Sequence, residues 1–365
     1  MDSRLKQIEL WLKQEVAPIA NVLDSDPSKL KAILQQMGDR SLLALKAPVA
    51  WGGMGLSETE YQRLQITFAR TSGALTFLQA QHQSAVGKLL HSENSALRSQ
   101  FLPDLAQGRS LMGVGFSHLR RRGTPMVQVT EKEGKYLITG EVPWITGCGF
   151  FERFIVGATL ADGRELYGIL PLKDTVQESG GAIACSQPMA LLAVGATNTV
   201  SAKIEHWQLE KELVVSINPP GTIYRSSQKN ILNHGFFALG NVYAALDVLD
   251  RIAQAKQLDF LTDSWQTLHQ EAKEKEQQAI AFVSESSATY TQKLQLRGEI
   301  INLAQRCSMA AVIASSGAAN YRHSDAARVY REALLFSVSG QTTDVMQASI
   351  QNLLSYPCFL SEKEK

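Results

Sequence analysis

The hydrophobic period of this chain changes twice, and each change coincides with a cluster of helix-breaking residues. Up to Gly108 apolar side chains recur at helical spacing, as in Tyr61, Leu64 and Phe68 at i, i+3 and i+7. Ser57 and Glu60 stand ahead of that run as a capping box, and Pro48 with Gly52, Gly53 and Gly55 supplies the break before it. Further helical patterns cover residues 75–90 and 94–105. From Leu111 to Ile217 the rhythm shortens to β-rich runs, among them Met126-Val-Gln-Val-Thr, Tyr136-Leu-Ile-Thr, Phe154-Ile-Val-Gly-Ala and Tyr167-Gly-Ile-Leu. The turns Glu133-Gly134-Lys135, Asp162-Gly163 and Ser179-Gly180-Gly181 separate these runs, which predicts an antiparallel barrel or sandwich. Val200 to Leu209 alternates as a half-buried strand does.

Pro219-Pro220-Gly221 ends the β region. Beyond it the pattern is helical over about 224–258, 263–290, 293–320 and from Asp325 onward, predicting an antiparallel four-helix bundle. The Glu- and Lys-rich stretch 270–278 reads as a solvated helix face. The expected class is therefore α+β, with an N-terminal all-helical domain (1–109), a central β domain (110–218) and a C-terminal helical bundle (219–365).

Charge and cysteine usage narrow the functional classes. With 36 basic and 35 acidic residues, the chain lacks the cationic excess that a nucleic-acid binder uses to neutralise phosphates. Cys148, Cys185, Cys307 and Cys358 form no C-x-x-C pair, which fits a reducing compartment and disfavours a zinc ribbon or a disulfide framework; no metal site is expected. The first residues carry charges throughout and no apolar core of a signal peptide. The longest apolar stretch, Gly235 to Leu249, is shorter than a bilayer span and includes Asn241. A cytoplasmic protein without a membrane span is expected.

Four segments, in order, resemble the acyl-CoA dehydrogenase family. Pro48-Val-Ala-Trp-Gly-Gly-Met-Gly-Leu is similar to its glycine-rich turn, and Phe101-Leu-Pro-Asp-Leu-Ala-Gln-Gly to a later helix end. Tyr136-Leu-Ile-Thr-Gly-Glu-Val-Pro-Trp-Ile-Thr-Gly resembles the family's Trp-Ile-Thr segment, and Ala327-Arg-Val-Tyr-Arg-Glu-Ala its Arg-rich helix. The resemblance implies FAD as cofactor, with Trp144 against the isoalloxazine ring and the Thr146 hydroxyl near flavin N5. It also implies an acyl-CoA or other acyl thioester as substrate, an electron-transfer partner or oxygen as acceptor, and a homodimer or homotetramer.

Departures from the family pattern decide the chemistry. Family members remove an α-proton with a Glu just after the Arg-rich motif; counted from Tyr330-Arg-Glu-Ala, that position is Gly340 here. Other members carry their Glu at the start of the bundle, a position that falls close to His234, whose imidazole can accept a proton near neutrality. A satisfied core histidine is the competing reading. The family's flavin- and substrate-facing loop appears as Ser117-His-Leu-Arg-Arg-Arg-Gly-Thr. Ser117 and Thr124 keep hydroxyls for the cofactor, and Arg120, Arg121 and Arg122 are either an anion-binding cluster or a solvated basic turn. Lys256 is the remaining basic residue where the family places an Arg toward the FAD pyrophosphate, and Ala318 and Asn320 replace family glycines.

Three readings follow from this pattern. The first is α,β-dehydrogenation of an acyl thioester with a displaced base. The second is a flavin monooxygenase of the same fold, served by His82 or His234. The third is a noncatalytic descendant that binds an acyl group or a partner.

Overall fold

The computed structural model describes residues 3–132, 134–285 and 288–354; Glu133 and Cys358 lie outside the described residues. The chain divides into two compact units, residues 1–64 with 71–228 and residues 65–70 with 229–365.

The chain opens with helices α1 (Ser3–Trp11), α2 (Ala20–Ser25), α3 (Pro27–Asp39), α4 (Glu58–Thr71), α5 (Gly73–Leu90) and α6 (Ser95–Ala106), all of the first unit except residues 65–70 of α4. Local chemistry sets their starts. The Glu60 carboxylate accepts from the Ser57 backbone N–H at 2.9 Å while the Ser57 hydroxyl faces the Glu60 N–H, so the capping box forms as expected. Asp26, Ser72 and Asn94 cap α3, α5 and α6 with their side-chain oxygens.

Strands follow: β1 (Met112–Gly115), β2 (Val127–Lys132), β3 (Lys135–Ile145), β4 (Arg153–Leu160), β5 (Glu165–Pro171), β6 (Thr175–Val176), β7 (Ala182–Cys185), β8 (Val200–Leu209) and β9 (Val214–Asn218). They form one sheet in the order β6-β7-β8-β3-β2-β4-β5-β9, with β1 beside β4. The sheet is mixed rather than purely antiparallel, because β4 runs parallel to both β1 and β2. Phe154 to Ala158 are buried at every position, as in strands covered on both faces, and this continuous apolar run carries no alternation from which direction can be read. Helices α5 and α6 close one side: Val86, Leu89, Leu97, Leu102 and Leu105 pack with Ile155, Tyr167 and Ile169 in one core. Helix α7 (Thr222–Lys229) ends the unit.

The second unit contains α8 (Asn233–Lys256), α9 (Asp259–Ser284), α10 (Tyr290–Ser315), α11 (Asp325–Val338) and α12 (Thr343–Leu354). Every residue from Gly235 to Leu246 is buried, so α8 is the central helix, and that is why its sequence is apolar on all sides. Two expected helices are divided. The backbone turns at residues 230–232 between α7 and α8, and Gly340, at φ 59°, ends α11 so that α12 becomes a separate fifth helix. The charged stretch of α9 is also less solvated than expected. Lys275 pairs with Glu299 at 2.6 Å, Arg306 with Glu271, and the Tyr243 hydroxyl donates to Glu276 at 2.5 Å. Among the described residues no helix is long and apolar enough to cross a membrane.

Candidate functional site

In the first unit the end of β3 presents an indole. Between Val142, opposite Ala202, and Ile145, opposite Val200, β3 contains one residue more than β8. This bulge falls on Pro143 and Trp144; proline has no N–H for the ladder, so the strand kinks there at little further loss. The kink keeps Val142 and Ile145 in the core at 0% exposure and turns Trp144 outward, 46% exposed. A large apolar plate with one open face suits the stacking of a planar ring. Beyond the bulge Thr146 is 6% exposed, and its hydroxyl lies 3.0 Å from that of Thr199, either of which can be the donor. Thr199 was not singled out from sequence; its alternation with Ser201 is the only signal it gives.

The turn after β1 is less uniform than its sequence. Ser117, Arg121, Arg122 and Thr124 are exposed. Arg120 instead turns inward and donates from Nε to the Ser227 hydroxyl at 2.8 Å, with burial lowering its pKa. His118 is buried against Gly157 O at 2.9 Å. The basic run is therefore two solvated arginines and one internal tie. The exposed indole leaves one face open to a planar ring, while Arg120 is committed to Ser227.

His82 is 0% exposed on α5. Its Nδ1 accepts from the Met112 N–H at 3.1 Å, so Nε2 carries the proton and donates to Leu105 O at 3.0 Å. Both nitrogens are thus engaged, and the ring ties α5 to α6 and β1. Burial pushes the pKa of His82 down to about 4, and that of His118 likewise to about 4. In the unfolded chain both titrate near 6.5. Between those values only the unfolded chain takes up the protons, so the stabilisation is complete above about pH 6.5 and lost as pH falls toward 4. At 1.36 kcal/mol per pH unit this is on the order of 3 kcal/mol for each ring. Urea unfolding should show a clearly lower midpoint at pH 5 than at pH 7.5, and His118→Gln should flatten the difference. Equal midpoints at the two pH values would refute the assignment.

In the second unit His234 occupies the first turn of α8, half-buried. Its ring stands edge to face with Phe237, 5.5 Å between centroids and 90° between planes, and Phe237 leans on Phe336 of α11 at 6.0 Å. Gly340 comes so close that a Cβ there would lie 2.4 Å from His234 Cδ2 and 2.5 Å from Nε2. The imidazole therefore fills the space that any side chain at position 340 would need, and the positive φ of Gly340 independently disfavours one. Beside them Arg297 of α10, 1% exposed, donates to Ile231 O at 2.9 Å, to Ser339 O at 2.6 Å and to Gly340 O at 3.2 Å. Sequence reasoning missed Arg297, because Lys293 and Glu299 on either side make it look like one more charge on a solvated helix. Lys256 donates to Ala314 O at 2.7 Å and faces the Ser316 hydroxyl, holding the end of α10, so it is not a free cation.

With this geometry in place, comparison with known proteins gives a consistent result. The model of the acyl-CoA dehydrogenase N-terminal domain matches residues 5–109. A Bacillus subtilis acyl-CoA dehydrogenase is 24% identical over 168 residues, 45% of this chain and 44% of that protein. The chain spans less than half the length of the curated relatives it matches. Among solved structures, butyryl-CoA dehydrogenase from Megasphaera elsdenii superposes with a TM-score of 0.77 at 15% identity, covering 97% of this chain and 99% of that one. A glutaryl-CoA dehydrogenase from Mycobacterium smegmatis in complex with FADH2 gives 0.79 at 12% identity, covering 98% and 96%. At these identities the superpositions speak for the fold.

Proposed function

Because the chain belongs to the acyl-CoA dehydrogenase superfamily, as a divergent member, we propose that it is a flavin-dependent oxidoreductase that desaturates an acyl thioester between Cα and Cβ, with His234 in place of a carboxylate base. The observation that supports this reading best is the interlock of His234 with Gly340. Where the carboxylate of the resembling family is missing, the space is taken by the imidazole of His234, a side-chain type that can accept a proton.

FAD, when bound, supplies the hydride acceptor for the β-hydrogen. The protein does the rest. Trp144 shields one ring face from water, and the Thr146 hydroxyl, beside that of Thr199, donates toward the region where negative charge gathers on reduction. Exposed Ser117 and Thr124 offer further hydroxyls to the cofactor, and Arg121 and Arg122 offer charge to its phosphates or to those of the thioester. His234 takes the α-proton at an imidazole nitrogen. Because that proton transfer accompanies hydride loss, the acceptor must stand within hydrogen-bond reach of the α-carbon's proton. His82, with both nitrogens bonded to backbone, has no part in the reading.

The monooxygenase alternative loses one of its two histidines with His82, which is why dehydrogenation is preferred. The test is direct. Purified protein titrated with FAD and mixed anaerobically with acyl-CoAs of graded chain length should lose its visible flavin absorbance. Retained absorbance with every thioester, followed by oxygen-dependent turnover of added reduced flavin, would select the monooxygenase. Failure to bind FAD would leave the noncatalytic descendant. Trp144→Ala should weaken FAD binding about 10-fold, the loss of one aromatic stacking partner, as read by fluorescence titration. Unchanged affinity would remove the indole from the cofactor site.

A further inference from the structure

We propose that Arg297 is a positioning residue, whose buried guanidinium locks the turn before α8 to the turn after α11 and thereby fixes where the His234 ring stands. Three carbonyls meet on one side chain. Ile231 O lies three residues ahead of His234, while Ser339 O and Gly340 O belong to the turn against which the ring is pressed. A planar guanidinium with donors in a rigid fork holds three acceptors in a fixed relation, and a flexible ammonium does not reproduce that geometry. The arginine is itself held in place, since it lies at 1% exposure on a helix that contacts α8, α11 and α12.

The placement has a chemical consequence. Carbonyls at a helix end that have no partner inside the helix are normally left to water. Here the carbonyls of Ser339 and Gly340 are drawn inward onto Arg297, so Gly340 is held against the imidazole rather than swinging away from it. The ring is thus bounded by Gly340 on one side and Phe237 on another, a fixed seat for a group that must meet a proton in a defined direction. The functional half of this inference rests on the reading of His234 as proton acceptor; the structural half does not.

The experiment separates the two. Full-length protein labelled with 13C at histidine rings carries seven histidines, and His234→Gln identifies the resonance of interest. In ligand-free protein, Arg297→Met should move or broaden the His234 resonance while leaving those of His82 and His118 in place, and Arg297→Lys should move it less. With FAD bound, Arg297→Met should slow anaerobic flavin reduction by an acyl-CoA about 100-fold, with FAD affinity within twofold of wild type and partial recovery in Arg297→Lys. An unmoved His234 resonance in folded Arg297→Met overturns the proposal. Should that variant not fold, Arg297→Lys decides: a His234 resonance and reduction rate identical to wild type also overturn it. If the resonance moves as expected but wild-type flavin is never reduced by a thioester, the seat stands and the dehydrogenase reading falls.

Discussion

Replacing His234 with Gln is expected to slow anaerobic reduction of bound flavin by an acyl thioester about a hundred- to ten-thousand-fold, the usual worth of a positioned general base. Glutamine approximates the size and hydrogen-bonding capacity of imidazole and accepts no proton near neutral pH, so the contact with Gly340 is largely preserved while the chemistry is removed. FAD affinity should stay unchanged, since the residues proposed to hold the ring are Trp144 and Thr146 and the substitution touches neither. Stopped-flow absorbance gives the rate and a fluorescence titration gives the affinity. A His234→Gln protein reduced at the wild-type rate would show that the proton goes elsewhere.

The second large effect is on stability. Arg328 Nη1 donates to both oxygens of Glu332 at 3.1 and 2.9 Å, one turn along α11, with side chains 7% and 1% exposed. Glu332→Ala leaves that cation buried without its carboxylate, which costs about 3–5 kcal/mol. For a protein of this size such a loss lowers the thermal midpoint by about 5 °C. Replacing both partners with apolar residues of similar volume should be far milder, because the desolvation of two charges is removed along with their attraction. Differential scanning calorimetry on the single and double variants distinguishes the cases; a single variant within 1 °C of wild type would contradict the account. The pair sits in the Ala327–Ala333 segment whose sequence resembles the family motif, and Asn241 of α8 donates to Val329 O at 3.0 Å within the same stretch. The motif is a structural clasp as well as a family marker.

What could be read from sequence divides along physical lines. Helix starts with a local signature were legible: the Ser57 and Glu60 box closes as written, and the boundaries at Gly108 and Pro219-Pro220-Gly221 separate helices from strands. The half-buried strand at Val200–Leu209 was legible too, since one covered face produces alternation. Features set by tertiary contact were not. The parallel placement of β4 leaves no trace in a run buried on both faces. The breaks at residues 230–232 and at Gly340 interrupt otherwise helical patterns, and the second makes sense only once the imidazole of His234 is seen beside it. Trp144 and Thr146 could be named through resemblance, but the bulge that turns the indole outward could not be counted without the partner strand. The arginine run shows the limit most clearly: Arg120, Arg121 and Arg122 are chemically identical, and only packing sends the first to Ser227 and the others to solvent.

The fit between positions 234 and 340 also bears on how such a chain can change. A single substitution that put an acid back at 340 would drive its first carbon into the ring opposite and force a left-handed backbone on a residue that resists it. The ring of His234 would have to turn aside, or be replaced by a smaller side chain, for that carbon to fit. An acid at 340 would therefore need both a displaced ring and a strained backbone, two costs that a single substitution incurs together.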